Sequence, residues 1–272
     1  MLCFAVWRLA AFRPEGDSLL ICGAADVCAA GVLFLACLPL VKLPTVRGRV
    51  LSRVTGGIGA AVSAGIFAVM LWEAADSLRY SFPDFYSAPA VIAAAGAGAV
   101  YCASMGLRGC ARAACAAVVM TLVVLALLMA GAGERFEADR LHLAVRDARG
   151  QFGREFLRAL VRSGEIPLLV ILRGEVKAPG KALAVWLGGR ALLSGVVMTF
   201  CAGVLGEFSA LGIPVDSLSS YSRTSVIERF DALVLLVWVL CTVLGAAGAA
   251  AGAIRCGKTA LGRTEIAQSD HT

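Results

Sequence analysis

Seven stretches of this chain are long and apolar enough to cross a lipid bilayer. Most of them reach the roughly 20 residues that cover about 30 Å of hydrocarbon in a helix. They are the ranges 17–41, 55–71, 86–106, 111–131, 152–172, 182–206 and 232–254. Because 59% of the 272 residues are hydrophobic and only 16% are charged, a soluble core is the poorer explanation. The pattern predicts an all-α, polytopic membrane helix bundle.

The range 152–172 is the weakest of these candidates, because it carries five charged residues. A helix that faces lipid cannot hold so many charges, so this segment is expected to line protein or water, or to lie flat. The charged residues are Arg154, Glu155, Arg158, Arg162 and Glu165.

Glu165 lies at a predicted break in this weak span. Gly164 precedes it, and Pro167 removes a backbone donor and disfavours helix at Ile166. Transporters commonly use a broken helix with an acid at the break to expose polar groups to a substrate or ion. We therefore take Gly164 and Glu165 as candidate substrate-binding residues. The alternative is that Glu165 only pairs with Arg162 or with an arginine of another helix.

Two further charges fall at membrane depth, where burial costs several kcal/mol and usually marks a site or a structural pair. Asp26 is either an acid on a pathway or a residue near a partly wet helix end. Arg190 either extends toward the membrane interface or meets an acid in the bundle. Both are candidate intramembrane charges.

The loops between the spans alternate between basic and mixed charge, which predicts a cytoplasmic C-terminus by the positive-inside rule. We expect a transmembrane helical domain over 1–254 and a cytoplasmic tail over 255–272. The net charge of +6 follows from this asymmetry and from attraction to anionic lipid, so the sequence predicts a bilayer as partner and no nucleic acid. The basic regions contain Lys42, Arg47, Arg49 and Arg53, then Arg108 and Arg112, then Arg173, Lys177 and Lys181, then Arg255, Lys258 and Arg263.

Side chains suited to catalysis or metal binding are scarce in this sequence. His142 and His271 are the only histidines, and the ten cysteines include no CxxC pair. We expect the cysteines to act as small buried hydrophobic residues. The sequence predicts no catalytic residue, no metal, no cofactor and no enzymatic activity.

Small residues cluster at close spacing in three spans, and Gly248 with Gly252 forms a GxxxG pair. Such faces let membrane helices approach closely, where van der Waals contact drives association. The alternative is a composition rich in alanine and glycine that scattered them. The other members are Gly56, Gly57, Gly59 and Ser63, then Gly188, Gly189 and Gly195, then Gly245.

The segment 225–240, Ser-Val-Ile-Glu-Arg-Phe-Asp-Ala-Leu-Val-Leu-Leu-Val-Trp-Val-Leu, resembles the eighth span of the B subunit of spore germinant receptors. This family is a branch of the amino acid/polyamine/organocation (APC) transporter superfamily. Glu228, Arg229 and Asp231 match its charged head, and these residues also suit helix capping or interface anchoring. The segments 15–17, 106–112, 163–165 and 177–207 also resemble parts of the family's pattern, in compatible order and spacing.

The resemblance implies an APC/LeuT-like bundle of about seven transmembrane helices plus a short N-terminal half-helix, shortened at both ends relative to the family. It implies a subunit of a spore or cell inner membrane that senses a small nutrient, such as an amino acid, and triggers germination. A-type and C-type receptor subunits would be its partners. Gly164 and Glu165 would match the unwound sixth helix of the family.

Two other functions remain open from the sequence. One is an amino-acid or cation permease of the APC superfamily that uses Glu165 and Asp26 as ion or proton partners. The other is a truncated subunit that supports assembly without binding ligand. Uptake of a labelled amino acid into proteoliposomes separates transport from sensing.

Overall fold

The computed structural model of the chain describes residues 3, 6, 18–42, 49–81, 87–141, 148–163, 165–172, 178–206, 215, 218–219 and 230–262. Within these ranges the elements are helices and none is a strand, which confirms the all-α prediction. In chain order the α-helices are α1 Leu19–Lys42, α2 Arg49–Ser81, α3 Ala88–Ser104, α4 Leu107–Ala132, α5 Ala148–Val161, α6 Glu165–Leu172, α7 Pro179–Leu205 and α8 Phe230–Ala260.

Five of these helices are long and apolar enough to cross a membrane. Their apolar lengths run from 21 to 29 residues, which is enough to cover the hydrocarbon core of a bilayer. The chain is therefore an integral membrane protein. The five segments are Leu19–Pro39, Ser52–Asp76, Arg108–Arg135, Pro179–Leu205 and Ala232–Ala260.

Two of the seven predicted spans differ from this result. The range 86–106 forms α3, an apolar helix of only 17 residues. The range 152–172 falls on the two short helices α5 and α6, because Arg162 and Ser163 after Val161 are not helical. The described part of the chain thus contains five candidate transmembrane helices, and both the expected count of about seven and the APC/LeuT-like arrangement stay predictions.

The two ends of the chain bear on the predicted domain boundaries. Helix α8 runs to Ala260, past the predicted end of the transmembrane domain at 254, and that domain boundary stays a prediction. Beyond Ile254 the helix continues through Arg255, Cys256 and Lys258, and Gly262, with φ of +72°, follows its last turn. Of the predicted N-terminal half-helix, only Cys3 and Val6 are described.

The chain divides into two compact units. The first unit comprises Met1–Ala36, Ala114–Ser163 and Leu183–Cys241. The second unit comprises Cys37–Ala113, Gly164–Ala182 and Thr242–Thr272.

The core of the first unit forms between α4 and α7, where Leu128 and Cys201 are fully buried. The connection after α4 covers the last turn of α7, whose final carbonyl groups have no partner within the helix. The backbone N–H of Glu137 donates to the Gly203 carbonyl at 3.1 Å, and Arg140 Nη1 donates to the Val204 carbonyl at 2.6 Å. The end of α7 is therefore fixed by this connection.

The second unit brings α2 and the last part of α8 into close contact through glycines. A Cβ atom added to Gly56 would lie 2.9 Å from the Ala260 nitrogen and 3.0 Å from the Cys256 carbonyl oxygen. A Cβ atom at Gly252 would lie 2.8 Å from Leu168 of α6. The small-residue faces at Gly56 and Gly252 therefore act as packing surfaces.

Candidate functional site

Arg190 of α7 is the most deeply buried charged side chain of the described residues, with 2% of its surface exposed. It lies within a segment long and apolar enough to cross the membrane. A guanidinium group in such a place must be paired, because an isolated buried charge costs far more than one that keeps a partner. The partners of Arg190 therefore define a candidate site.

Asp26 of α1 is the acidic partner of Arg190. Arg190 Nη2 donates to Asp26 Oδ1 at 2.6 Å, and Nε donates to Oδ2 at 3.3 Å. This fork geometry engages both carboxylate oxygens and is the strongest arrangement for an arginine and an acid. The Asp26 side chain is 14% exposed, so the pair is almost fully removed from solvent. The two charges at membrane depth are thus joined to each other.

Ser163 adds a third contact from the point where the helical chain is interrupted. Arg190 Nη1 donates to Ser163 Oγ at 2.9 Å, and the Ser163 hydroxyl donates to the Ala159 carbonyl of α5. Ser163 follows the last turn of α5 and precedes α6. A hydroxyl at the end of α5 therefore contacts the ion pair.

Trp186 lies one turn before Arg190 on α7 and forms one wall of the cluster. The Arg190 guanidinium carbon is 5.8 Å from the centre of the indole ring, within the range of a cation–π contact. The indole is 1% exposed, and its Nε1–H has no hydrogen-bond partner among the described residues. Trp186 thus brings a buried N–H donor beside the pair.

The structure describes only some of the site residues that were predicted from the sequence. Gly164 lies outside the described residues, and Glu165 is the first residue of α6, with a side chain that is not described. Glu228 and Arg229 also lie outside the description, and Asp231 lies in the first turn of α8 with its side chain undescribed. The binding role of Gly164 and Glu165 stays a prediction.

Sequence reasoning singled out Asp26 and Arg190 separately but did not pair them with each other. It also gave no role to Ser163 as a contact of Arg190, or to Trp186. The available signal was the presence of one acid and one base in two apolar spans, since opposite charges at membrane depth tend to pair.

An apolar cavity lies elsewhere in the first unit and offers little to a polar ligand. Thr121 is its one polar side chain besides the Trp238 indole, and the Thr121 hydroxyl is already within 2.8 Å of the Ala117 carbonyl and 3.4 Å of Cys241 Sγ. Its other lining residues are Val6, Val124, Leu125, Val215, Val234 and Val237. Recognition of a charged or polar molecule is better served by the Asp26–Arg190 pair.

No group of three or more histidine, cysteine, aspartate or glutamate side chains suited to a metal ion occurs in the part of the chain that the structure describes. Comparison of the chain with protein-family models, with curated proteins and with solved structures gives no match. The candidate site is therefore defined by the chain's own residues, with Asp26, Arg190, Ser163 and Trp186 at its centre.

Proposed function

We propose that this protein is a membrane subunit that senses a small nutrient, such as an amino acid, at the Asp26–Arg190 pair. The observation that carries the proposal is the bidentate ion pair between α1 and α7, with Ser163 at the helix interruption as its third member. The resemblance of segment 225–240 to germinant receptor B subunits supports a role in triggering germination.

An amino acid matches this pair because it carries both charges of the pair itself. Its carboxylate would take the place of Asp26 on the Arg190 guanidinium, and its ammonium group would take the place of Arg190 on Asp26. Every buried charge then keeps a partner, which avoids the large cost of breaking a buried pair from one side. The buried Trp186 N–H adds one more donor for the ligand carboxylate.

Sensing follows from the position of the two charges on different helices. A ligand that inserts between them must separate the Asp26 and Arg190 side chains and change the contact between α1 and α7. The ligand shifts this equilibrium only by its differential affinity for the two arrangements. Partner subunits of the A and C types would receive the change, and we propose the spore or cell inner membrane as the location, with a cytoplasmic C-terminus.

Binding of labelled amino acids to the full chain in lipid nanodiscs tests the proposal. Asp26→Asn and Arg190→Gln should each abolish binding, because each leaves one charge of the zwitterion without its partner. The matched controls Asp139→Asn and Arg149→Gln change exposed residues and should leave binding unchanged. An amino acid should bind, while the carboxylic acid and the amine of the same side chain should not.

Absence of amino-acid binding by the wild-type chain would contradict the proposal and favour a subunit retained only for assembly. Binding that survives both Asp26→Asn and Arg190→Gln would remove the pair from the site. For the predicted break residue, Glu165→Gln in spores should raise the nutrient concentration needed for germination. An unchanged dose dependence would remove Glu165 from the site.

The second candidate function is an amino-acid or cation permease. The interruption between α5 and α6 favours it, since broken helices at buried charges are a common feature of transporters. Uptake of labelled amino acid into proteoliposomes separates the two functions. Binding without uptake supports the sensor, whereas uptake that depends on Asp26 and Arg190 supports the permease.

A further inference from the structure

The helices of the second unit bring basic side chains together at one of its ends. The first turns of α2 lie against the last turns of α8, because a Cβ atom added to Gly56 would lie 2.9 Å from the Ala260 nitrogen. The guanidinium group of Arg53, about one turn earlier on α2, lies beside the backbone that follows α8. Its Nη2 would be 3.0 Å from a Cβ atom on Gly262. The start of α2 and the end of α8 therefore form the same end of the unit.

Helix α3 brings the start of α4 to this end as well. A Cβ atom on Gly98 would lie 3.6 Å from Val243 of α8, and further along α3 the side chain of Ala103 packs with Ala250 in one buried cluster. The two helices therefore run in the same direction. Because α3 ends at Ser104 and α4 begins at Leu107, Arg108 in the first turn of α4 lies near the end of α8.

Four basic residues thus share this end of the second unit, and we call it the basic end. Arg53 comes from α2 and Arg108 from α4, while Arg255 and Lys258 come from the last turns of α8. The side chains of Arg53, Arg108 and Lys258 are exposed, and that of Arg255 is half-buried. Three helices therefore present cations that an anion outside the helix bundle can reach.

The acidic residues within the described ranges of the second unit lie away from the basic end. Glu73 and Asp76 are further along α2, and Glu73 is 20 residues from Arg53, which corresponds to about 30 Å of helix. Glu165 begins α6, whereas Ile171, near the other end of α6, lies against the start of α2. These carboxylates therefore leave the charge of the basic end in place.

The position of the basic end and its apolar neighbours indicate a lipid as its anionic partner. The hydrocarbon core of a bilayer is also about 30 Å thick, so the basic end lies at headgroup level when α2 spans the membrane. Large apolar side chains are exposed beside the basic ones, namely Ile58 of α2, Ile254 of α8 and Met105 before α4. A soluble phosphate gains nothing from these side chains, whereas a phospholipid carries acyl chains next to its phosphate.

We propose that the basic end of the second unit binds the headgroup of an anionic phospholipid. Its arginines and its lysine donate hydrogen bonds to the phosphate oxygens, which are charge-assisted and stronger than neutral ones. The acyl chains lie along the exposed apolar side chains of α2 and α8. This binding is independent of the proposed nutrient sensing, because Asp26, Ser163, Trp186 and Arg190 all belong to the first unit.

Titration of the full chain with phosphatidylglycerol in nanodiscs of phosphatidylcholine tests the proposal, with native mass spectrometry to count the lipids that stay bound to the released protein. Arg53→Gln, Arg108→Gln and Lys258→Gln should each lower the affinity for phosphatidylglycerol about fivefold, since one basic residue at a membrane surface contributes about 1 kcal/mol. The triple variant should lower it on the order of 100-fold.

Arg79→Gln is the matched control, because Arg79 is an exposed arginine in the last turn of α2, at the far end from Arg53. It makes the same change in net charge and should leave the affinity unchanged. Equal losses in Arg79→Gln and Arg53→Gln would overturn the proposal and leave only a general attraction of the net charge. Unchanged binding of phosphatidylglycerol by the triple variant would also overturn it.

Inorganic phosphate in excess distinguishes a lipid site from a site for a soluble anion. It should not displace the bound phosphatidylglycerol, and displacement would contradict the assignment to a lipid. If the triple variant does not fold, Arg53→Lys and Arg53→Gln decide the question. Arg53→Lys keeps the charge and should retain most of the binding that Arg53→Gln loses, whereas equal loss in both would contradict an electrostatic contact with the headgroup.

Discussion

The first unit joins its helices through a buried ion pair, whereas the second unit joins its helices through glycines. In the first unit, Arg190 of α7 is held by Asp26 of α1 at 2.6 and 3.3 Å. In the second unit, Gly56 and Gly59 of α2 lie close against Cys256 of α8. The same apolar composition thus supports two kinds of helix contact.

The two helix contacts differ in the number of stable arrangements that each allows. A glycine face gains its energy from many small van der Waals contacts, which have one good arrangement and are lost together. A buried ion pair can exchange one partner for another of the same charge, so it has more than one satisfied arrangement. The proposed ligand binding therefore belongs to the first unit, and we treat the glycine contact of the second unit as structural.

The largest expected effect is the removal of one member of the pair. Asp26→Asn should lower the free energy of unfolding by about 3–5 kcal/mol, because it leaves Arg190 buried beside a neutral amide. Combining it with Arg190→Gln should recover part of that loss, since no unpaired charge remains. Thermal or denaturant unfolding in nanodiscs measures both. Losses that simply add in the double variant would show that the pair is not a coupled unit.

An intermediate effect is expected at the glycine contact. Gly56→Ala should destabilise the protein by about 1–3 kcal/mol, because the new methyl group meets backbone atoms of α8 that cannot move aside. Gly57→Ala is the matched control on the same helix, since a Cβ atom there meets nothing within 4 Å. It should be neutral or stabilise by up to about 1 kcal/mol through helix propensity. Equal unfolding temperatures for the two variants would contradict a structural role of the Gly56 contact.

The smallest effect is expected at the exposed ion pair of the first unit. Arg140 pairs with Glu137 at 2.8 Å, but their side chains are 39% and 59% exposed. Glu137→Gln should change the free energy of unfolding by less than about 1 kcal/mol, since solvent screens such pairs. Arg140 keeps its hydrogen bond to the Val204 carbonyl. An effect as large as that of Asp26→Asn would show that exposure does not separate the two ion pairs.

The apolar spans could be read from the sequence because each depends only on a local run of residues and on the thickness of a bilayer. Five of the seven predicted ranges correspond to helices long enough to cross it. The range 152–172 was recognised as weak from its charges, and the structure divides it into α5 and α6. Within the predicted range 86–106, the described helix α3 covers only Ala88–Ser104.

Only part of the candidate site could be predicted from the sequence. Asp26 and Arg190 stand out in the sequence as charges at membrane depth, and Gly164 and Glu165 as residues of a broken helix. Their partners do not stand out, because Asp26 and Arg190 are 164 positions apart in the chain. Many acids are compatible with one buried arginine until the helices are placed beside each other.

The sequence by itself determined that this protein is an all-helical integral membrane protein with charges that apolar spans cannot leave unpaired. Local hydrophobicity and chain length suffice for that, because the bilayer imposes the same requirement on every segment. Only the tertiary structure decided which charges meet. Pairing depends on the packing of α1, α5 and α7, whose contacts join residues distant in sequence, and that packing set Ser163 and Trp186 beside Arg190.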